Sequence, residues 1–341
     1  RFCSILPPHQ GTEASEWYKG TADAVWQNID YLRSLKVDRV IILSGDHIYR
    51  MNYAQMLKFH DEKKASITVA VMKVPWNEVV RFGIAIPDEN GRVIDFVEKI
   101  PNPPSNTASL GIYVFNMDIL ESLLKRIIGT GKGDDFGKHI FPYAFPRYRV
   151  FAYPFDGYWK DVGTIQAYWE THMDILDPDS ELDLDGWQVY TNPEDRNLQK
   201  RSPAYCSSRA AVAETMVSRG CFIDGRVERS VLSPGVRVEQ GASVTECVLL
   251  HDVVVRKGAV LDRVVADKDV VFNRECLVGY GRSTVANRQF PDHLSGGFVL
   301  VGKGAKIPTG TRIGRNCIIF PHAGKKAFKK LKIPAGETIE K

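Results

Sequence analysis

A short continuous apolar run, Val37-Asp38-Arg39-Val40-Ile41-Ile42-Leu43, ends abruptly in Ser44-Gly45-Asp46. Apolar residues without polar alternation predict a parallel strand buried on both faces. Asp46 then stands at the strand's C-terminal end, the edge of an α/β sheet where loops present groups to ligands. A carboxylate there suits a divalent metal that clamps phosphates, although Asp after Gly also simply opens turns. Upstream, Ala22, Val25, Ile29 and Leu32 fall three or four apart and predict a helix capped by Thr21. A helix running straight into this strand leaves the sheet without a first strand, so the sequence is expected to be incomplete at its start.

Alternation of helix and strand continues. The pattern predicts a helix from Tyr53 to about Lys63 and a strand over 66–74. A hairpin follows, in which 82–86 and 93–97 flank Asp88-Glu89-Asn90-Gly91. That hairpin delivers Glu98 and Lys99 into a Pro-rich turn. Further strands are expected over 110–115 and 149–153, with a helix near 118–127 between them. Thr164 is expected to cap a last helix reaching about Ile175. The Asp-, Asn-, Pro- and Ser-rich stretch 178–205 reads as a linker between an α/β domain, 1–177, and a second domain, 206–341.

The second domain has a period of six. Val236, Ala242, Val248, Val254, Val260 and Ala266 keep it without a break, and Val301, Ile307, Ile313 and Ile319 resume it with Gly304, Gly310 and Asn316. Each unit makes one side of a triangular coil, so the pattern predicts a parallel β-helix with these residues pointing inward. Residues 273–297 and 322–330 break the period and are expected to leave the coil.

Composition narrows the reading without changing it. The 341 residues are 44% hydrophobic and 25% charged, enough for ordinary cores, and a net charge of +4 gives no support for nucleic-acid binding. No apolar run is long enough to span a membrane and the first residues lack a signal pattern, so a cytoplasmic location is expected. The six cysteines form no CxxC pair and are expected to be mostly buried thiols.

Several stretches then stand out together: Trp17-Tyr18-Lys19-Gly20-Thr21-Ala22-Asp23, Leu43-Ser44-Gly45-Asp46-His47-Ile48-Tyr49, Phe82-Gly83, and Phe96-Val97-Glu98-Lys99 with Asn102-Pro103-Pro104. Farther along come Ser109-Leu110-Gly111-Ile112-Tyr113, Asp135-Phe136-Gly137-Lys138 and Tyr158-Trp159-Lys160-Asp161-Val162-Gly163-Thr164. On these residues and their order the chain resembles the ADP-glucose pyrophosphorylases (glucose-1-phosphate adenylyltransferases), one of the sugar-phosphate nucleotidylyltransferase families. The resemblance implies an α/β fold, a Rossmann-like nucleotidyltransferase domain followed by a left-handed parallel β-helix. It implies that glucose 1-phosphate attacks the α-phosphate of ATP, an in-line displacement that needs charge neutralisation and alignment but no covalent nucleophile. Asp46 and Asp161 would hold Mg²⁺, and with Lys99 they would form the catalytic set. Lys99 would grip the sugar phosphate, Glu98 and Ser109 would contact the sugar, Tyr18 would line the nucleotide site, and Gly83 would allow close backbone approach. A homotetramer controlled by a phosphorylated effector is implied as well. On composition alone each residue has an ordinary alternative: a solvated Glu–Lys pair, a strand-opening Ser, a core Tyr. The lysines at 325, 326, 329, 330 and 332 could attract an effector phosphate but read more simply as a solvated face.

One family feature has no counterpart. The glycine-rich loop that wraps the triphosphate with backbone N–H groups is found neither before Arg1 nor elsewhere. A chain with nothing before Arg1 is expected to be inactive. That keeps open a non-catalytic regulatory subunit, and a relative using another nucleoside triphosphate remains open too. The β-helix alone would also suit an acyltransferase with His251 as its base.

Overall fold

In the computed structural model, residues 3–8, 17–182, 200–282 and 285–340 are described, so most of the expected linker lies outside the described residues. The chain divides into two compact units, Arg1–Gly45 with Arg50–Gly157, and Asp46–Tyr49 with Tyr158–Lys341.

In the first unit the expected opening helix is two, α1 (Thr21–Trp26) and α2 (Ile29–Ser34). Asn28 divides them: its side-chain amide donates to Ala24 O at 2.8 Å and to the Tyr18 hydroxyl at 3.0 Å, competing with the backbone ladder. Gly20, not Thr21, takes the N-cap position. The Thr21 hydroxyl instead donates to Asp135, and Asp134 O accepts from the N–H groups of Ala22 and Asp23.

The apolar run forms β1 (Arg39–Leu43), followed by β2 (His47–Tyr49), α3 (Tyr53–Glu62), β3 (Ile67–Lys73), β4 (Gly83–Pro87), β5 (Val93–Glu98), β6 (Thr107–Asn116) and α4 (Met117–Ile127). A wide turn, Phe136–Ile140, then runs into α5 (Phe141–Ala144), and β7 (Val150–Pro154) completes the sheet. Strand order is β5-β4-β6-β3-β7, with β1 pairing β6. The expectation that β1 is parallel and buried on both faces is overturned. It runs antiparallel to β6, its one partner among the described residues, and Leu43 is 43% exposed. A short apolar run records burial of one face, through Val40 and Ile42 against the core, but not the direction or number of its neighbours. Among the described residues of this sheet, only β3 and β7 pair in parallel. The β4–β5 hairpin forms as expected, with Asp88 Oδ1 accepting from Asn90 N and Arg92 N and Gly91 at φ +78°. Phe96, Phe115, Phe136 and Phe141 pack under the sheet with Leu120, Leu123 and Leu124 of α4.

In the second unit β2 pairs antiparallel with β8 (Trp159–Asp161), and α6 (Ile165–Asp174) begins at Thr164, whose hydroxyl accepts from Ala167 N at 3.1 Å. The remainder is a parallel β-helix of three sheets. Helix α6 docks on it through Trp169, whose indole donates to Glu246 O at 2.8 Å and packs 5.0 Å from Phe298, with Arg263 over both rings.

The coil corrects the simple period of six. Stacked partners Ser243, Val260 and Leu277, or Val254 and Val271, lie 17 residues apart (260 − 243 = 17), so three sides take six, six and five residues. Left-handed backbone turns every corner, as at Gly241, Glu246 and Asp252 with φ +71°, +50° and +60°, and the five-residue side is the one from Gly241 to Glu246. A strict six therefore drifts by one residue per coil. Val236, Ala242 and Ala266 lie in the coil's core, but Val248 packs with Trp169 of α6, Val254 is half-buried and Val260 is 36% exposed, and the inward positions there belong to Leu249, Val255 and Leu261. In the second run Leu300 stacks on Ile318, 18 residues on, and Val301, Ile307, Ile313 and Ile319 are all buried as expected. The first excursion is shorter than expected, since the strand Leu277–Tyr280 still belongs to the coil. The second contains a short helical turn, Lys325–Ala327. Among the described residues no helix is long and apolar enough to cross a membrane.

The drift is testable in adjacent residues. Leu261→Ala should destabilise the coil by about 2–5 kcal/mol. Val260→Ala should stay within about 0.5 kcal/mol. Urea unfolding of the two variants checks this, and the reverse order would mean that the coil keeps an unbroken six.

Candidate active site

Two constellations gather the sequence-predicted residues, one in each unit. The first sits where the β4–β5 hairpin ends. The Glu98 side chain is only 20% exposed, whereas Lys99 points outward with its Nζ 3.9 Å from Glu98 Oε1. Lys99 takes φ +52°, a left-handed conformation that an L side chain adopts at some cost, and its N–H donates to Phe82 O at 3.2 Å. The chain thus turns sharply between a half-buried carboxylate and an exposed ammonium.

Gly83 pairs with Glu98 across the hairpin. A Cβ at Gly83 would stand 2.4 Å from the Phe96 ring and 2.5 Å from Glu98 Oε2, so the glycine is already required by its neighbours on the hairpin. On the other side Gly137, in the turn 136–140, approaches the same carboxylate oxygen. Burial pushes the Glu98 carboxyl above its ordinary range, assisted by Asp135 and opposed mainly by Lys99. Asp135 anchors the turn by accepting from Lys138 N at 3.0 Å and from the Thr21 hydroxyl at 3.1 Å.

Ser109 lies on β6 just before a bulge. Between the pairs Ser109–Val71 and Tyr113–Val69 the register shifts, and Gly111 at φ +66° supplies the backbone that this needs. Ser109 is buried, and beside it the Tyr113 phenol is pushed up to about 12, chiefly by burial. Tyr18 stands apart from this group in its contacts: its hydroxyl donates to Leu6 O at 2.8 Å and accepts from Asn28. Asp135, Gly137 and Tyr113 were in motifs already singled out but had no role assigned. The signal that marks them is proximity to Glu98, which no local pattern encodes.

The second constellation is Asp46, His47 and Asp161, each offering a ligand atom within 4.8 Å of the others. Pairing of β2 with β8 sets His47 opposite Asp161, and Val162 N donates to Asp46 O at 3.1 Å. Asp46 is the more exposed group, its side chain 66% accessible, with His47 Nε2 3.6 Å from its Oδ1. Asp161 Oδ1 accepts from Gly163 N at 2.7 Å. Strand β8 is held to α6 by Lys160, which meets Asp174 at 3.1 Å and Glu170 at 3.2 Å, and by the Tyr158 hydroxyl donating to Asp174. Two carboxylates at this spacing form a hard oxygen donor set, which suits Mg²⁺ better than a soft metal.

Comparison with known proteins matches residues 3–178 to the Nucleotidyl transferase family and residues 202–301 to the GlmU-like, C-terminal hexapeptide family. The glucose-1-phosphate adenylyltransferase of Acetivibrio thermocellus is 40% identical over 99% of this chain and 79% of its own length. That of Thermomicrobium roseum is 41% identical over 98% and 78%. The chain belongs to the glucose-1-phosphate adenylyltransferase family. A third relative of that name, from Desulforamulus reducens, is 37% identical over 94% of the chain and 79% of its own length. The nucleotidyl-transferase match spans all seven predicted site residues, from Tyr18 to Asp161.

The raised Glu98 carboxyl has a stability consequence. A group whose folded pKa lies above its unfolded one is best tolerated protonated, so its contribution is full below the ordinary carboxylate range and is lost as pH rises through the raised value. Glu98→Gln should therefore melt higher than the parent at pH 8, with the difference closing as pH falls through the carboxylate range. A pH series of thermal melts checks this, and a variant equally or less stable at pH 8 would contradict it.

Proposed function

We propose that this chain transfers the adenylyl group of ATP to α-D-glucose 1-phosphate, giving ADP-glucose and pyrophosphate, a step that serves glycogen or starch synthesis. The observation that carries the reading is the Glu98–Lys99 pair at the hairpin end, a half-buried carboxylate beside an exposed ammonium, in a chain of this family. A sugar phosphate needs both groups: an acceptor for hydroxyl protons and a cation for the phosphate.

In the proposed reaction a phosphate oxygen of glucose 1-phosphate forms a bond to the α-phosphorus of ATP, and the bond from that phosphorus to the β-bridging oxygen breaks, releasing pyrophosphate. Both reactants are anions, so the barrier is lowered by alignment and by cancelling charge. Lys99 holds the sugar phosphate as a point charge, and its stiff left-handed backbone limits where the ammonium can reach. Glu98 accepts from sugar hydroxyls and Ser109 contacts the sugar. Tyr18 lines the nucleotide side. Asp46 and Asp161 would hold Mg²⁺, which when bound neutralises phosphate charge and orients the reacting groups. No general base is needed, because a phosphate monoester is already nucleophilic at neutral pH, and His47 has no proton to remove. Assembly as a homotetramer and control by a phosphorylated effector belong to the same proposal; their support is the resemblance.

Two substitutions test the roles, assayed in the product of the full reading frame. Asp46→Asn should abolish turnover with little change in melting temperature, because the side chain is mostly exposed; near-normal turnover would remove the metal role. Lys99→Ala should raise the KM for glucose 1-phosphate through loss of a charge-assisted contact worth on the order of 1.5–3 kcal/mol. A change confined to the KM for ATP would assign Lys99 to the other substrate.

A further inference from the structure

Glu98 is half-buried, and among the described residues no side chain hydrogen-bonds its carboxylate. Backbone closes on one of its oxygens from two sides, while Lys99 lies near the other. A Cβ built on Gly137 would lie 2.4 Å from Glu98 Oε2, and one on Gly83 would lie 2.5 Å from the same atom. The carboxylate therefore passes between two positions where only hydrogen leaves room. The two glycines differ in what else they meet. A methyl at Gly83 would also strike the Phe96 ring at 2.4 Å, in the core of the sheet. At Gly137 the next contacts are Glu98's own carboxyl carbon at 2.9 Å and Asp135 Oδ1 at 3.4 Å. A methyl there would press on one thing, the end of the Glu98 side chain.

The turn that carries Gly137 is wider than an ordinary helix turn. Asp135 O accepts from His139 N at 3.1 Å and from Ile140 N at 3.3 Å, the latter spanning five residues. Insertions of this kind inside helical turns recur at functional sites, since they re-aim the backbone locally. Here the turn is pinned from three directions: Asp135 is bonded to Thr21, Asp134 O receives α1's first N–H groups, and Phe136, flanking Gly137, is buried against Phe115 and Tyr113. The backbone of Gly137 is thus a rigid wall behind Glu98, while the Glu98 side chain is the movable partner.

We propose that Gly137 is a positioning residue for sugar-phosphate binding: its missing side chain lets the 136–140 turn close on Glu98 and fixes where that carboxylate is presented to the sugar hydroxyls. The inference rests on the reading of Glu98 as a sugar contact and goes beyond it by assigning what holds Glu98 in place. Gly137 itself touches no substrate in this account. It acts through Glu98, and its effect must vanish when Glu98 is removed.

The test is a double-mutant cycle on the product of the full reading frame, following KM for glucose 1-phosphate, KM for ATP and thermal stability. Gly137→Ala should displace the carboxylate by a fraction of its own size and raise the KM for glucose 1-phosphate about tenfold or more, an ångström of misplacement being enough for such losses. The KM for ATP should stay within about twofold, a split that general damage to the domain would not produce. In a Glu98→Ala background, Gly137→Ala should change neither KM further. If Gly137→Ala alone does not fold, the double variant, in which the clash is gone, should fold and match Glu98→Ala. A double variant that also fails to fold, a rise in both KM values, or a further rise in the Glu98→Ala background would each overturn the positioning role. The two readings fail separately. Glu98→Ala with an unchanged KM for glucose 1-phosphate would sink the sugar contact and the inference with it, whereas a raised KM in Glu98→Ala and none in Gly137→Ala would sink the inference alone.

Discussion

The hydrogen-bond ladder of β6 is the constraint on which the first unit depends. Its ten residues are shared among three partners. Residues 112–116 bond β1, residues 107–109 and 113–115 bond β3, and Ala108 meets Ile84 of β4. A single strand cannot stay flat while serving neighbours of such different length. The bulge at Gly111 resolves the conflict, letting the register slip while the Gly111 carbonyl accepts from Ser44 N at 3.2 Å. That one bond ties the end of β1, two residues before Asp46, to the strand that carries Ser109. Through β4 the same ladder fixes the hairpin whose last residues are Glu98 and Lys99.

A comparable economy governs the second unit. The strand that bears Asp161 is only three residues long and pairs with one equally short. Two-stranded ribbons of this size are not stable by themselves. Lys160 and Tyr158 bind it to the acidic face of α6, and Trp169 binds α6 to the coil beneath an Arg263 stacked on its ring. The β-helix therefore supports the carboxylate pair through α6 and β8.

Much of this was legible along the chain, and the misses have physical causes. Thr164 and the Asn90-Gly91 turn announced themselves because capping and left-handed turns are local chemistry. Thr21 failed as a cap because Asp135, distant in sequence, took its hydroxyl. The apolar run of β1 recorded burial but could not record that its one described partner runs antiparallel. In the coil a period of six was real at two sides of three, yet the side from Gly241 to Glu246 takes only five residues, and that shortening moved Val260 outward. Asp46 stood out at the end of an apolar run, and Glu98, Lys99 and Asp161 only through the resemblance; Glu98 lies beside Lys99, and Asp46 within 4.8 Å of Asp161. The closeness of Gly137 to Glu98 was not visible, since a contact between residues so far apart in the chain leaves no spacing to read.

The central claim is that the acidic pair and the Glu98–Lys99 pair serve adenylyl transfer to a sugar phosphate. Its most direct test is pyrophosphate release by the product of the full reading frame, with Mg²⁺ and glucose 1-phosphate, comparing ATP, UTP, dTTP and GTP. Release with ATP well above the other three, and dependent on glucose 1-phosphate, is the predicted result. Release led by a different triphosphate, or none with any of the four, would contradict the account.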